Sequence, residues 1–257
     1  MKGKNFNYSF LVFKNITMES YKEWHLSEKT AKEYDKAVGH KFDNRIYAVE
    51  DIVFLEYLKK YAKKDSKILD FACWTGRKTS FLKKHYDNVI WFDISDAMLS
   101  VAKEKYPNID FRKVDLWKDN IKEKFDVITA FRFFLNAELS LKKSILNNMK
   151  NILNKEWTII FNIHYNTYSI AYLVQKIWYF IWTTTRNQNG VSYWEMKSIV
   201  KECWYEIVES KWYSYLLWCS FLRWLPFKFL KVIDLFLMKL WIFKYFSKDI
   251  MFVIKLK

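Results

Sequence analysis

Glycine is scarce in this sequence, with four residues in 257, whereas tryptophan occurs thirteen times. Globular proteins contain roughly 7% glycine, which tight turns and close backbone approaches require. Were all thirteen tryptophans glycine, the chain would hold 17 glycines, close to that norm. We therefore consider that the gene uses UGA for glycine and that tryptophan is a misreading. The alternative is an aromatic-rich protein whose tryptophans are core residues.

Cysteine is scarce, and long apolar runs are absent. Cys73, Cys203 and Cys219 show neither CxxC nor metal-ligand spacing, which excludes a disulfide framework and gives no metal site. No apolar run reaches the 18 residues of a membrane span, and the N-terminus lacks the apolar core of a signal peptide. These absences predict a protein of the reducing cytoplasm.

The net charge of +15 comes from lysines spread along the chain, without a compact basic run interleaved with aromatics. Nucleic-acid binding is thus permitted but not implied. The length suits one α/β domain over residues 1–257, without repeats or linkers. We divide it into a helical N-terminal cap (17–64), a cofactor-binding core (65–165) and a C-terminal half (166–257).

Short apolar segments alternate with helical patterns from residue 68 onward. Helices are predicted from about Arg77, at Ala97–Lys105, at Ser140–Leu153 and at Glu195–Cys203, after an amphipathic lead-in at Arg45–Tyr61. The strands are Ile68–Phe71, Val89–Ile94, Phe111–Val114, Phe125–Ala130, Thr158–Ile163, Tyr205–Lys211 and Ile250–Leu256. This alternation predicts a doubly wound, mostly parallel α/β sheet whose last two strands form an antiparallel edge pair.

Residues 215–246 form an aromatic and leucine-rich insertion before the last strand, with four lysines interspersed. We expect a helical lid packed over the sheet. A cover for an apolar substrate and a contact with a membrane surface are the other interpretations.

The first strand leads into a loop with small residues two apart. Asp70 ends the strand, and Ala72, residue 74 and Gly76 follow. Such loops let backbone amides and a helix N-terminus meet a nucleotide-like ligand. Position 74 is expected to take positive φ, which suits glycine and penalises tryptophan. A dinucleotide fingerprint would need a third glycine at Arg77, so the spacing disfavours NAD.

Carboxylates follow the next two strands. Asp93 ends the second strand and can accept both ribose hydroxyl protons. Asp115 follows the third strand and can accept from an exocyclic adenine amine, while Ile94 and Leu116 offer apolar walls to a base. Carboxylates in order at three successive strand ends predict a nucleoside site.

Four further tryptophans stand where glycine is the default residue. Trp91 opens a strand, Trp157 and Trp212 are predicted in turns, and Trp204 follows a helix at its C′ position. For the remaining cases in apolar surroundings the core interpretation is equally good; these are Trp178, Trp182, Trp218 and Trp224.

The motifs Ile-Leu-Asp-Phe-Ala-Cys-Trp-Thr-Gly-Arg, Phe-Asp-Ile-Ser-Asp-Ala-Met-Leu, Val-Asp-Leu and Phe-Asp-Val-Ile-Thr-Ala-Phe-Arg occur in that order between residues 30 and 165. They resemble the class I S-adenosylmethionine-dependent methyltransferases. The resemblance implies a Rossmann-like, seven-stranded sheet with a reversed last strand, and S-adenosylmethionine as cofactor.

The same resemblance implies roles for individual residues. The loop from Asp70 to Gly76, with Ala72, Cys73 and Trp74, would hold the methionine portion of the cofactor. The rest of the implied site is Tyr34 closing over the cofactor, Asp93 at the ribose, Ile94, Met98, Asp115 and Leu116 around the nucleoside, and Ala130, Phe131 and Arg132 on the sulfonium side. As written, Trp74 would fill the cofactor's space.

Methyl transfer of this kind depends mainly on positioning and dehydration. His164 and Tyr165, just past a strand end, are candidates for a general base, and His164 as a structural loop residue is the competing interpretation. We expect a methyltransferase acting on a small, lipophilic molecule. A non-catalytic protein of the same fold and an RNA methyltransferase are the alternatives.

Overall fold

The computed structural model describes residues 26, 31–35, 41–181, 190–216, 222 and 225–257. Its strands are β1 (Ile68–Phe71), β2 (Val89–Asp93), β3 (Phe111–Lys113), β4 (Phe125–Ala130), β5 (Leu153–Ile163), β6 (Tyr205–Tyr213) and β7 (Asp249–Leu256). They form one seven-stranded sheet in the order β3-β2-β1-β4-β5-β7-β6.

Strands β1 to β5 run parallel, and β7 lies antiparallel between β5 and β6. Every residue of β1 and β2 is buried, because helices cover both faces of a doubly wound sheet. Alternate side chains of β1 enter opposite cores, Leu69 and Phe71 one and Ile68 the other. The predicted fold class is confirmed.

Helices connect the strands: α1 (Lys41–Tyr61), α2 (Thr79–His85), α3 (Asp96–Lys105), α4 (Phe133–Asn136), α5 (Leu139–Lys150), α6 (Ile170–Ile181), α7 (Tyr193–Glu202) and α8 (Phe227–Leu237), with a 3₁₀ turn at Trp241–Phe246. Residues 31–35 are also helical. Ser95 and Ser192 begin α3 and α7 as N-caps, each accepting a bond from a backbone amide of the first turn. Within the described ranges, the helices are too short or too polar to cross a bilayer.

Two predicted boundaries are wrong for a physical reason. Helix α5 ends at Lys150, and Leu153 already pairs with Phe125 of β4, so the long strand β5 absorbs the predicted helix end and turn. Strand β6 continues to Tyr213, because its pairing with β7 extends to Asp249. Pairing between strands far apart in sequence decided both boundaries.

The structure divides the tryptophans into two groups. Trp74 (φ 57°) and Trp204 (φ 61°) are left-handed, as expected of glycine positions. The turn prediction for Trp157 and Trp212 is wrong, since both are buried inside strands, and Trp91 lies mid-strand rather than opening β2. Trp182, Trp218 and Trp224 lie outside the described residues, as does the side chain of Trp178.

Trp204 offers a test of the left-handed positions. Replacing it by glycine removes an unfavourable backbone conformation, and its indole is 70% exposed, so little packing is lost. We expect Trp204→Gly to raise the free energy of unfolding by about 1 kcal/mol in urea titrations. Trp117→Gly is the control, because Trp117 is 53% exposed but has no positive φ. A higher free energy of unfolding in the control, or no increase in Trp204→Gly, would contradict the assignment of residue 204 as a glycine position.

Candidate functional site

The loop between β1 and α2 takes left-handed backbone at alternate residues, with φ of 54° at Ala72, 57° at Trp74 and 76° at Gly76. A Cβ on Gly76 would lie 3.0 Å from the Thr79 Oγ1 atom, so a side chain there would clash as well as strain. The Cys73 amide donates to the Phe92 carbonyl at 3.0 Å, which joins the loop to β2. The three left-handed positions are those at which the sequence pattern predicted small residues.

Asp93 fixes this loop from the end of β2. Its Oδ2 accepts from the Trp74 amide at 2.8 Å, and its Oδ1 accepts from the Ser95 amide at 2.9 Å. Burial raises the pKa of Asp93 to about 6. The Ile94 amide also bonds to this carboxylate. A carboxylate has about four lone-pair sites, so acceptor capacity remains for a ligand hydroxyl group.

Asp70 is the second buried carboxyl group of the site. The Thr129 hydroxyl donates to its Oδ1 at 2.8 Å, and burial raises its pKa to about 7. It faces a small cavity rather than bulk solvent, since only 2% of its surface is exposed.

A cleft of about 60 Å³ lies at the carboxyl ends of β1, β2 and β3. It brings together Ala72, Trp74, Asp93, Ile94, Asp115 and Leu116 from the predicted site. The remaining walls of the cleft were not predicted from the sequence; they are Phe71, Val114, Phe133, Leu141 and Ile145. The i, i+4 spacing of Leu141 and Ile145 marked an apolar helix face, but it did not show that the face borders a cleft.

A second cavity lies on the other side of Trp74 and measures only about 10 Å³, room for roughly one water molecule. It is lined by Tyr34, Asp70, Ala72, Cys73, Trp74, Arg77, Lys78 and Phe131. The indole of Trp74 stacks on the Tyr34 ring with centroids 4.5 Å apart. Trp74 therefore occupies the space between the loop and the N-terminal helical segment.

Other predicted residues line neither cavity. Met98 is fully buried in the first turn of α3, and Gly76 shapes the loop. Ala130 ends β4 and is fully buried. Arg132, His164 and Tyr165 belong instead to a polar cluster at the carboxyl ends of β4 and β5.

Glu50 of α1 is the centre of that cluster and was not predicted. Its Oε1 accepts from Arg77 Nη1 at 2.6 Å and pairs with Lys78 Nζ at 2.7 Å. Its Oε2 accepts from Asn162 Nδ2 at 2.7 Å. Burial acts to raise the pKa of Glu50, but the charges of Arg77 and Lys78 hold it well below its usual range. Glu50 is buried next to Val49 in α1, and its place inside an apolar helical pattern was an available but ambiguous signal.

Two guanidinium groups enclose the ring of Tyr47. The Cζ atoms of Arg77 and Arg132 lie 4.4 and 4.8 Å from its ring centroid, and Arg132 Nη2 donates to its hydroxyl at 2.5 Å. Arg132 itself is left-handed (φ 62°), and its amide donates to Asn162 Oδ1 at 2.9 Å. Helix α1 thus joins the loop after β1 to the ends of β4 and β5.

His164 is buried in the same cluster. Its Nδ1 lies 3.0 Å from Asp249 Oδ1, and its Nε2 lies 3.5 Å from Asn162 Nδ2, so Nδ1 is the donor and Nε2 the acceptor. Burial lowers the pKa of His164 to about 4. Asp249, at the start of β7, is also paired with Lys248 at 2.9 Å. The ring is neutral near pH 7, and Asp249 sets its orientation.

Comparisons with known proteins agree with this geometry. Residues 68–156, which contain the loop and Asp93, match a family model described as "Methyltransferase domain". The match covers 89 of the 257 residues of the chain. The predicted resemblance to class I S-adenosylmethionine-dependent methyltransferases is confirmed.

Similar curated proteins match over part of the chain. The ubiquinone/menaquinone biosynthesis C-methyltransferase UbiE of Campylobacter jejuni serotype O:2 is 43% identical over 107 residues, 39% of this chain and 45% of that protein. Putative methyltransferase 235L of Invertebrate iridescent virus 6 is 32% identical over 80 residues, 30% of this chain and 29% of that protein. The chain thus spans less than half the length of these relatives.

Solved structures share the fold over most of the chain. A S-adenosylmethionine-dependent methyltransferase from Clostridium acetobutylicum superposes with a TM-score of 0.57 at 16% identity, covering 89% of this chain and 98% of that chain. Magnesium protoporphyrin IX methyltransferase from Synechocystis, solved with S-adenosylhomocysteine, gives 0.55 at 14% identity, covering 87% and 86%. The chain therefore shares its fold with these two structures over most of its length.

Asp93 makes stability depend on pH. Its pKa is higher in the folded protein, about 6, than its ordinary value of 3.8, so the folded state binds more protons between those values. The free energy of unfolding contributed by this group is present below about pH 4 and is lost as pH rises through 6, by roughly 3 kcal/mol. Asp93→Asn should lack this fall in urea titrations from pH 4 to 7.5. Asp70 titrates in both proteins, but its pKa is raised less in Asp93→Asn, because the charge of Asp93 is one cause of that rise.

Asp87→Asn serves as the control for this profile, because Asp87 is exposed at the end of α2. We expect its pH profile to follow that of the parent protein. Parallel profiles for Asp93→Asn and the parent would show that Asp93 titrates normally.

Glu50 stabilises the cluster through its charge. Glu50→Ala leaves the buried cations of Arg77 and Lys78 without their shared carboxylate, and we expect a loss of about 3–5 kcal/mol in the free energy of unfolding. The matched control is Glu56→Ala on the same helix, whose side chain is 56% exposed and pairs with Lys211. There the expected loss is about 1 kcal/mol or less. Similar small losses for both variants would refute the role of Glu50.

Proposed function

We propose that the protein transfers a methyl group from S-adenosylmethionine to a small-molecule acceptor. The observation that supports this most is the cleft at the ends of β2 and β3, where two carboxyl groups and apolar walls converge. Ligands of doubly wound sheets bind at the carboxyl ends of strands, next to a helix N-terminus. The matched methyltransferase domain covers this region.

The adenosine half of the cofactor fits the residues present. Asp93 would accept from the ribose hydroxyl groups, and Asp115 would accept from the adenine amine. Ile94, Leu116 and Phe133 would enclose the base, since all three line the cleft. The cleft already combines carboxylates with apolar walls, so these side chains need not rearrange.

The methionine half of the cofactor does not fit a site that contains Trp74. The indole of Trp74 separates the cleft from the small cavity beside Asp70 and leaves about 10 Å³ there. We therefore propose that residue 74 is glycine in the functional protein, encoded by UGA. Its left-handed backbone supports this, and Trp204 shows the same conformation. The gene tests the idea directly, since UGG codons at both positions would refute it.

The bound cofactor would supply a methyl group already activated by its sulfonium, so the chain would contribute orientation and exclusion of water. We propose that the polar cluster provides this orientation, because Asn162 holds the left-handed Arg132 beside Phe131. His164 and Tyr165 stay candidates for a general base. The lowered pKa of His164 favours positioning over proton removal at neutral pH.

The acceptor proposed is small and lipophilic. Relatives act on chemically different acceptors by name: UbiE is a C-methyltransferase of ubiquinone/menaquinone biosynthesis, and a 28% identical relative from Saccharopolyspora spinosa is a dTDP-amino-sugar N,N-dimethyltransferase. The apolar side chains exposed on α8 favour the lipophilic class. We also propose a reducing, cytoplasmic location, supported by the buried free thiols of Cys73 and Cys203.

Calorimetry with S-adenosylmethionine tests the proposal. We expect the Trp74→Gly variant to bind S-adenosylmethionine. The chain with Trp74 should bind it at least about tenfold more weakly, because the indole must be displaced. Trp204→Gly is the matched control and should behave like the literal chain. Adding Asp93→Ala to Trp74→Gly should lower affinity by about tenfold or more, which corresponds to roughly 1.4 kcal/mol.

The outcomes separate two functions. Binding by Trp74→Gly, followed by labelled methyl transfer into a cell extract, supports the enzyme. If neither chain binds S-adenosylmethionine, the second candidate applies, which is a non-catalytic protein of the same fold. The blocked methionine site favours this candidate if the gene encodes tryptophan at residue 74. Equal binding by the literal chain and Trp74→Gly would contradict the blockage.

A further inference from the structure

Helix α8 presents apolar side chains to solvent in a single row. Phe229, Val232 and Phe236 are 54%, 65% and 58% exposed. Their i, i+3, i+7 spacing places them on one stripe of the helix. The 3₁₀ turn that follows exposes Ile242 and Phe246, at 63% and 45%. Monomeric proteins rarely leave such a set open unless the surface has a partner.

The opposite side of α8 is the one that packs on the protein. Leu230 is 3% exposed and belongs to the core cluster that includes Val53 and Tyr57 of α1. Asp234 is fully buried and its Oδ1 accepts from the Leu216 amide at 2.7 Å. The outward row is therefore not a core face displaced from the sheet. Its orientation is fixed by these two contacts.

The charges of residues 225–246 that reach the surface have one sign. Lys228, Lys231, Lys239 and Lys244 lie in α8 and the segment after it, while the one carboxylate of residues 225–246, Asp234, is buried on the other side. The whole chain has a net charge of +15. Such a cationic surface would repel the same surface on a second copy of the chain. It would attract a surface that carries negative charge. Apolar side chains flanked by lysines are typical of helices that lie in a membrane interface.

We propose that α8 and the 3₁₀ turn form a docking surface for an anionic lipid bilayer. The row of Phe229, Val232 and Phe236 enters the boundary between headgroups and acyl chains, with the helix in the plane of the membrane. The lysines pair with lipid phosphates. This surface does not depend on the cofactor site, so it can be tested whether or not residue 74 blocks that site.

Flotation of the full chain with vesicles tests the proposal. We expect binding to vesicles of phosphatidylcholine mixed with phosphatidylglycerol, and much weaker binding to phosphatidylcholine alone or at high salt. The variant Phe229→Gln/Val232→Gln/Phe236→Gln should bind at least about tenfold more weakly while its thermal unfolding is unchanged, since glutamine keeps helix propensity and the side chains are exposed. Lys228→Glu/Lys231→Glu should remove the preference for anionic vesicles, by about fivefold or more.

The matched control is Trp117→Gln/Leu139→Gln, whose side chains are 53% and 52% exposed and lie outside α8. It should bind vesicles like the parent. Absence of vesicle binding by the parent chain, equal loss in the control and α8 variants, or full binding by the α8 variant would each overturn the proposal. A concentration-dependent dimer in light scattering that only the α8 variant loses, without vesicle binding, would assign the row to a second copy instead.

Discussion

Left-handed backbone at alternate residues of one loop is the constraint on which the site depends. Ala72, residue 74 and Gly76 must turn the chain from β1 into α2 within a few residues, and Asp93 accepts the amide of residue 74. This bond places the carboxyl group of β2 beside the loop. A side chain at residue 74 costs conformational energy and also enters the space where a ligand would meet the backbone.

A second constraint joins the loop to the other side of the sheet. Glu50 bonds to Arg77 after β1 and to Asn162 at the end of β5, and Asn162 in turn holds the amide of Arg132. A buried carboxylate among several cations is stabilised only when all of them keep their places. The cluster therefore fixes three strand ends relative to α1, whereas the cleft beside Asp93 is bounded mainly by apolar side chains.

Much of the sheet could be predicted from the sequence, because short apolar segments between helical patterns report local burial. The cleft residues Asp93 and Asp115 were also predictable, since each directly follows a strand. Trp157 and Trp212 were not: local sequence suggested turns, and pairing with distant strands made them extended. The division of the chain into cap, core and C-terminal half stays a prediction.

The sequence by itself determined the strand and helix order, the small-residue loop and the carboxylates at strand ends, because each of these depends on residues adjacent in the chain. Only the tertiary structure decided that Glu50, His164 and Asp249 share one buried cluster, and that Phe229 and its neighbours on α8 face outward. Those facts depend on which surfaces meet across the sheet, and a local pattern of apolar and polar residues is the same whichever way a helix turns.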